Sequence, residues 1–223
     1  MNLIYCGGGG KRYSTIAVEN GYLYGARLPS SINHELFFAD QDWKNPNFDR
    51  YLDEVKKHRP KWATILDWER QEQRDEVFKW AESIAPHVDC VLFIPKFPEA
   101  IKQIPESIGD TNVILAYSVP TRYGKSEVPI EMFAHRDTHL LGGSPHKQME
   151  LYMNNKNIVS ADGNYHQKMA AFNKVWVWGA KRVLGRWVFL KDYLGHEVKN
   201  GSCYIAFDLS CRNIMKAWKE NVL

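Results

Sequence analysis

Short apolar runs recur along the chain, each followed by a polar or glycine-rich turn and then a helical pattern. They lie at residues 2–6, 22–27, 36–39, 62–66, 90–95, 113–117, 138–141 and 158–161. Several are nearly continuous in Val, Ile, Leu and Phe. A strand loses its apolar/polar alternation when both of its faces are buried, which is the condition of a parallel sheet covered by helices. Strands alternating with helices over short links form right-handed βα units. Eight such strands predict an α/β fold, a compact (β/α)8 TIM-like barrel. The chain has 223 residues, fewer than the ~250 typical of that fold, so some connecting helices must be short or missing. An open doubly wound sheet is the alternative; it needs fewer strands, and the run at 22–27 is the first it would drop.

The helices follow from caps and spacing. Asn45-Pro46 is a cap and first-turn pair opening a helix through Lys57. Residues 69–85 carry Val77, Trp80, Ala81 and Ile84 at 3/4 spacing. Pro145 opens a helix through Met153 with Ser144 as N-cap, and Gly163-Asn164 precedes a helix over 165–172. After Phe172 the texture changes. Residues 174–190 interleave aromatic and basic side chains, a pattern of a β-hairpin or extended arm, and an amphipathic helix follows at 209–220. The expected organisation is a catalytic barrel over 1–173. A basic, Trp-rich C-terminal extension, 174–223, packs on it and offers a nucleic-acid contact.

With 44% hydrophobic residues the chain can bury one substantial core. No apolar run approaches the roughly 20 residues that span a bilayer. The first residues, Met1-Asn2-Leu3-Ile4-Tyr5-Cys6, lack the basic and apolar regions of a signal peptide. Cys6, Cys90, Cys203 and Cys211 form no C-x-x-C pair, so they read as reduced thiols and not as a zinc site. A cytoplasmic protein is expected, in the host cytoplasm if phage-encoded, with no metal and no cofactor. The net charge of +3 is unevenly spread. Residues 171–223 hold nine Lys/Arg against four Asp/Glu, whereas the rest is mildly acidic. Such a segment suits either a polyanion partner or a solvated basic face.

In a parallel barrel the working residues lie at the C-terminal strand ends. Three of these ends carry an aspartate directly after an apolar run: Asp40, Asp67 and Asp162. One alone is a plausible helix cap. Three on a single rim crowd like charges, which raises pKa values and suits acid/base chemistry. Other ends contribute Lys96, Ser118, Gly142 and Gly143. The run Gly7–Gly10 followed by Lys11-Arg12 is neither a Walker A loop nor G-x-G-x-x-G. It is either a tight turn or a backbone nest for an oxyanion. No H-E-x-x-H and no G-x-S-x-G is present. His139 falls within a strand pattern, as a core residue or a supporting one. His166 follows Asp162 by one helical turn and is a candidate to face the site.

The element 138–145, THLLGGSP, followed by 158–162, IVSAD, resembles the closing strands of tRNA-guanine transglycosylases. Relatives that insert 7-deazaguanines into DNA are closest in kind. The likeness spans roughly residues 36–170. It implies that Asp162 is the nucleophile and Asp40 the general acid/base. Asp67, Lys96, Ser118, Gly142 and Gly143 would form the base-binding set. Lys96 stands where that family usually has a glutamine, and the family's cysteine-rich zinc site has no counterpart. The resemblance therefore implies base exchange in DNA, with a single-stranded or flipped target and a free 7-deazaguanine base as partners. Lys11, Arg12, Arg122, Lys168, Lys181, Arg182 and Arg186 are the expected phosphate contacts; Trp176, Trp178 and Trp187 either stack on bases or cap the barrel, and for any single one capping is the expected role. Two rivals stand beside it: another glycosidic enzyme acting on nucleosides or sugars, and a non-catalytic DNA-binding accessory module.

Overall fold

The computed structural model describes residues 1–7, 10–121, 126–179 and 185–222. Eight parallel strands close into a barrel: β1 (Asn2–Cys6), β2 (Leu23–Arg27), β3 (Phe38–Asp40), β4 (Trp62–Trp68), β5 (Cys90–Pro95), β7 (Thr111–Ser118), β8 (Thr138–Leu141) and β9 (Ile158–Gly163). Closure comes from β1 pairing with β9 at one seam and β5 pairing with β7 at another. A two-residue strand, β6 (Ser107–Ile108), turns back antiparallel on the start of β7. The run at 22–27 is a true barrel strand between β1 and β3, which excludes the open-sheet alternative.

Helices α1 (Lys11–Glu19), α2 (Phe48–His58), α3 (Arg74–Ile84), α5 (Pro145–Asn154) and α6 (Tyr165–Ala171) cover the strands, with α4 (Pro98–Ile101) reduced to about one turn. The chain saves length where helices are absent. Residues 28–37 link β2 to β3 without one, and among the described residues between β7 and β8 the one helical piece is a 3-10 turn, Ile130–Phe133. Asn47 caps α2, its side chain accepting the Arg50 N–H, so the helix opens two residues later than Asn45-Pro46 predicts. Residues 71–73 form a 3-10 turn ahead of α3, which trims the helix expected from residue 69.

Two apolar clusters divide the protein. The smaller fills the barrel: Ile4, Phe38, Cys90, Leu92, Ile94, Ile114 and Ala116. Gly25 belongs to this layer because a Cβ there would sit 2.9 Å from Ile4 and 3.0 Å from Phe38. The larger cluster lies between the strands and the helices.

Described residues from the last fifty, among them Val175, Trp176, Leu190 and Phe207, join this larger cluster. A hairpin, β10 (Lys174–Val177) with β11 (Arg186–Phe189), leads through α7 (Leu190–Leu194) to α8 (Ser202–Val222). Helix α8 starts seven residues before the predicted 209, because Ala206 and Phe207 already belong to its buried stripe with Cys211, Ile214, Ala217 and Trp218. It packs on α6, β10 and α1, as part of the outer helical layer. Trp176 is fully buried here. Its backbone N–H donates to Ser210 Oγ at 3.0 Å and its carbonyl accepts from Asn213 at 2.8 Å. Of the two roles open to Trp176, stacking on bases or packing, the structure shows packing: its ring is committed to the core. Trp178 and Trp187 remain half-buried.

Candidate active site at the barrel mouth

Strand parity decides what the mouth contains. Side chains alternate across a strand, so residues two apart share a face. Ile4, Phe38, Ile94 and Ala116 point into the barrel. Two residues further along are Cys6, Asp40, Lys96 and Ser118. Asp162 pairs in register with inward Ile4, and Arg27 with Asp40. A register irregularity in β4 between Thr64 and Asp67 flips the alternation once, so both face inward although three residues apart. Asp40, Asp67 and Asp162 lie within their strands rather than just beyond them. The sheet's hydrogen bonds thus fix their direction, and a helix-cap role is not needed to explain any of the three.

Asp40 accepts a hydrogen bond from Thr64 Oγ1 at 3.1 Å, and Thr64 Oγ1 in turn accepts the Gln41 N–H at 2.9 Å. Its carboxyl is pushed up to about 8. Burial is the main cause; the Asp162 charge adds to it, and Asp67 adds less. The Thr64 bond and the Arg27 guanidinium pull the other way. Arg27 itself leans outward, 3.5 Å from Asp42. Burial, Asp162 and Asp40 together push the Cys6 thiol well above its ordinary range. These mutual influences put Cys6, Asp40 and Asp162 around one space.

Asp162 is nearly buried. Its Oδ1 accepts the Gly142 N–H at 2.7 Å and lies 3.4 Å from His139 Nε2. Gly142 has φ 70 and Gly143 φ 91, a left-handed turn that aims this N–H at the carboxylate. Gly143 has a further reason to be glycine, since a Cβ there would meet Val119 at 2.6 Å. Gln148 of α5 clamps the same corner by donating to the carbonyls of Gly142 and Asp162, at 2.8 and 2.6 Å.

The opposite side is a charged cluster. Lys96 Nζ lies 2.9 Å from Asp67 Oδ2 and donates to Ser118 Oγ at 2.6 Å. Gln41 reaches Asp67 Oδ1 at 3.5 Å. Lys96 and Asp67 are both mostly buried, so this pair is less screened than a surface one.

Of the residues predicted for the site, Asp40, Asp67, Asp162, Lys96, Ser118 and Gly142 converge on the mouth, with Gly143 in the adjoining turn. Lys11 and Arg12 are exposed on the first turn of α1, which leaves the mouth end of β1. The Arg12 guanidinium lies 3.8 Å over the Tyr204 ring. Lys168 on α6 and Arg186 on β11 are exposed. Trp187 is 5.8 Å from Tyr165, which opens α6 just after Asp162, so this end of the hairpin borders the rim. Arg122, Lys181 and Arg182 lie outside the described residues. His166 does not face the mouth. It is buried among Tyr5, Tyr22 and Phe207, stacked on Phe207 at 5.0 Å, and burial lowers it to about 3.

Thr64, Cys6, Arg27 and Gln148 are site residues that the strand-end reading passes over. Counting back in twos from each terminal aspartate along the strands would have found only inward partners on regular strands. Thr64 escapes that count because of the register irregularity. Among the described residues no group of three or more His, Cys, Asp or Glu could hold a metal ion, and no helix is long and apolar enough to cross a membrane.

The mouth thus holds one carboxyl that keeps its proton near neutrality, one carboxylate oriented by a backbone donor, and a lysine–aspartate pair. That combination can protonate a leaving group and attack the carbon it leaves. No curated protein matches the chain. The model of a family described as a family of unknown function, DUF6610, matches residues 17–219, and the chain belongs to that family.

Proposed function

We propose that the barrel mouth exchanges a base in nucleic acid, replacing guanine in DNA with a 7-deazaguanine through a covalent Asp162–sugar intermediate. Asp162 attacks C1′ of the target nucleotide, and the C1′–N9 bond breaks. Asp40 gives its proton to the departing guanine. The free 7-deazaguanine then enters, and Asp40 takes its N9 proton as the base attacks C1′ and releases Asp162. Two displacements return the original configuration, the logic of retaining glycosidases. A base inside a duplex is out of reach, so the target must be flipped out or single-stranded. Lys96, Asp67 and Ser118 supply donors and acceptors to the base. Lys11, Arg12, Lys168 and Arg186 neutralise phosphates, and half-buried Trp187 offers an edge for stacking.

The observation that carries this proposal is the unequal surroundings of two carboxyls at one mouth. Asp40 sits at about 8, so it holds its proton at neutral pH, while Asp162 is held as an acceptor by the Gly142 N–H. Covalent base exchange needs this division of labour. The test incubates DNA and tRNA with the protein and candidate 7-deazaguanines, followed by mass spectrometry of the nucleosides. Incorporation into DNA supports the proposal. No incorporation into either polymer, with every base tried, removes it.

The burial of Trp176 favours a second reading, in which the same carboxylates act on a free nucleoside or sugar, because it takes away one candidate stacking platform. Salt separates the two. Binding driven by counterion release weakens steeply as salt rises, with a log–log slope of about −0.7 per phosphate contact on single strands. A nucleoside enzyme shows almost no slope.

A further inference from the structure

The barrel interior directly beneath Asp162 is polar where its neighbours are apolar. His139 is fully buried inside the barrel, 5.1 Å from the Phe38 ring. Ser160, also fully buried, faces inward two residues before Asp162 on the same strand. A buried imidazole costs free energy unless its nitrogens are satisfied. One of them is: Nδ1 lies 2.8 Å from Ser160 Oγ. The other, Nε2, makes no hydrogen bond among the described residues, and points to within 3.4 Å of Asp162 Oδ1. Apolar residues of similar volume would fill this layer at no such cost, so these polar groups call for a purpose outside packing.

Tautomer logic supplies it. A neutral imidazole carries its proton on one nitrogen only. If Nδ1 held it, the Nε2 lone pair would face a carboxylate oxygen, and the contact would be repulsive. If Ser160 donates to Nδ1, the proton sits on Nε2 and points at Asp162. The Gly142 N–H reaches the same oxygen, Oδ1. The imidazole edge, at 3.4 Å, and the hydrogen-bonded Gly142 N–H therefore approach one oxygen from two elements, the barrel interior and the β8–α5 turn. Oδ2 is engaged by no described residue's hydrogen bond and is left to the mouth.

We propose that His139, set in its Nε2–H tautomer by Ser160, is a positioning residue that with the Gly142 N–H fixes Oδ1 of Asp162 and leaves Oδ2 as the attacking atom. This inference rests on the exchange reaction proposed above. It assigns His139 no contact with substrate and no proton transfer in the reaction. Its effect is orientation: a carboxylate held at one oxygen cannot rotate, and its free lone pair stays aimed at the sugar carbon. Displacement of a reacting atom by about 1 Å can cost on the order of 10²-fold in rate.

The test has two arms on the full-length protein. In the first, nitrogen-15 NMR of histidine-labelled wild type reads the tautomer of His139, with His139→Gln used to assign the resonance. An Nε2–H signal that moves in Asp162→Asn, and that shifts towards the other tautomer in Ser160→Ala, supports the proposal. An Nδ1–H tautomer in the wild type overturns it. The second arm compares exchange kinetics of His139→Gln and His139→Leu with melting temperatures alongside. The expected result is a fall of about 10²-fold in kcat for His139→Leu with KM for DNA unchanged, and partial rescue in His139→Gln, which keeps a donor. A folded His139→Leu with wild-type kcat overturns the proposal. If wild type shows no exchange at all, the exchange reading fails, while the NMR arm still decides the His139–Asp162 contact on its own.

Discussion

The β3 end and the β9 end of the mouth carry the same residue type and treat it differently. At β3, Asp40 has one hydroxyl donor among the described residues, Thr64, and otherwise meets protein interior, other acids and the weak pull of the Arg27 guanidinium. At β9, Asp162 meets a backbone N–H from a glycine turn and a buried imidazole. A hydroxyl can rotate to accept as well as donate, so Thr64 tolerates a protonated Asp40. A backbone N–H only donates, so Gly142 suits an acceptor. Under the proposed exchange, the donors each strand end meets, and not the aspartate itself, would set the role.

The sharpest way to break this comparison is to remove each carboxylate in turn. Asp162→Ala is expected to abolish exchange, and Asp162→Asn to abolish the covalent intermediate seen on a denaturing gel; incorporation at the wild-type level by either variant ends the nucleophile assignment. Asp40→Asn comes next, with a loss of about 10²–10⁴-fold in turnover, the usual worth of a positioned proton donor.

The same substitution gives a pH test. Wild-type turnover should fall as pH rises through about 8, where Asp40 loses its proton, while the residual activity of Asp40→Asn stays flat on that limb. Stability should fall with rising pH, in the same direction as activity but beginning at lower pH. The folded protein holds the Asp40 proton more tightly than the unfolded chain does, so this group's contribution is full below the ordinary carboxylate range. It is lost progressively as pH rises towards about 8. Above that pH Asp40→Asn is expected to melt higher than wild type, by about 2–4 °C for each kcal/mol of penalty removed. A melting curve with no such gain would show that Asp40 titrates without strain.

A smaller effect is expected across the mouth. Lys96→Met leaves Asp67 without its cation and should raise KM for the incoming base roughly 10–100-fold, the range of one charge-assisted hydrogen bond, with kcat less affected. A pure kcat effect would move Lys96 from binding to chemistry. Smallest of all, Lys11→Ala or Arg186→Ala should each reduce the salt slope of DNA binding by about one contact, with base preference unchanged. Identical slopes in both variants would take those cations off the DNA path.

Much of the barrel was legible in the chain because double-sided burial leaves continuous apolar runs. Three limits of that legibility have physical causes. Helix α2 is capped by Asn47 rather than Asn45, since both precede a plausible helix and only the Arg50 N–H chooses between them. Trp176 stayed open between stacking and packing because an aromatic beside basic residues looks alike whether it meets a base or a core; Ser210 and Asn213, more than thirty residues away, decide for the core. Helix α8 read as short because the continuous apolar run Cys203–Phe207 shows no helical stripe by itself; α6 and β10 lie against the helix.

What the sequence determined by itself is periodic and local: eight strands, their helical links, and an acid at the end of three strands. Its period of two also assigns faces wherever a strand is regular. What only the tertiary structure decided is what surrounds each acid. The irregularity in β4 brings Thr64 to Asp40, the β8–α5 turn brings Gly142 to Asp162, and burial beside other acids lifts Asp40 to about 8. Those are relations between residues twenty or more positions apart, and a carboxyl's proton affinity depends on its surroundings in space, which barrel closure creates.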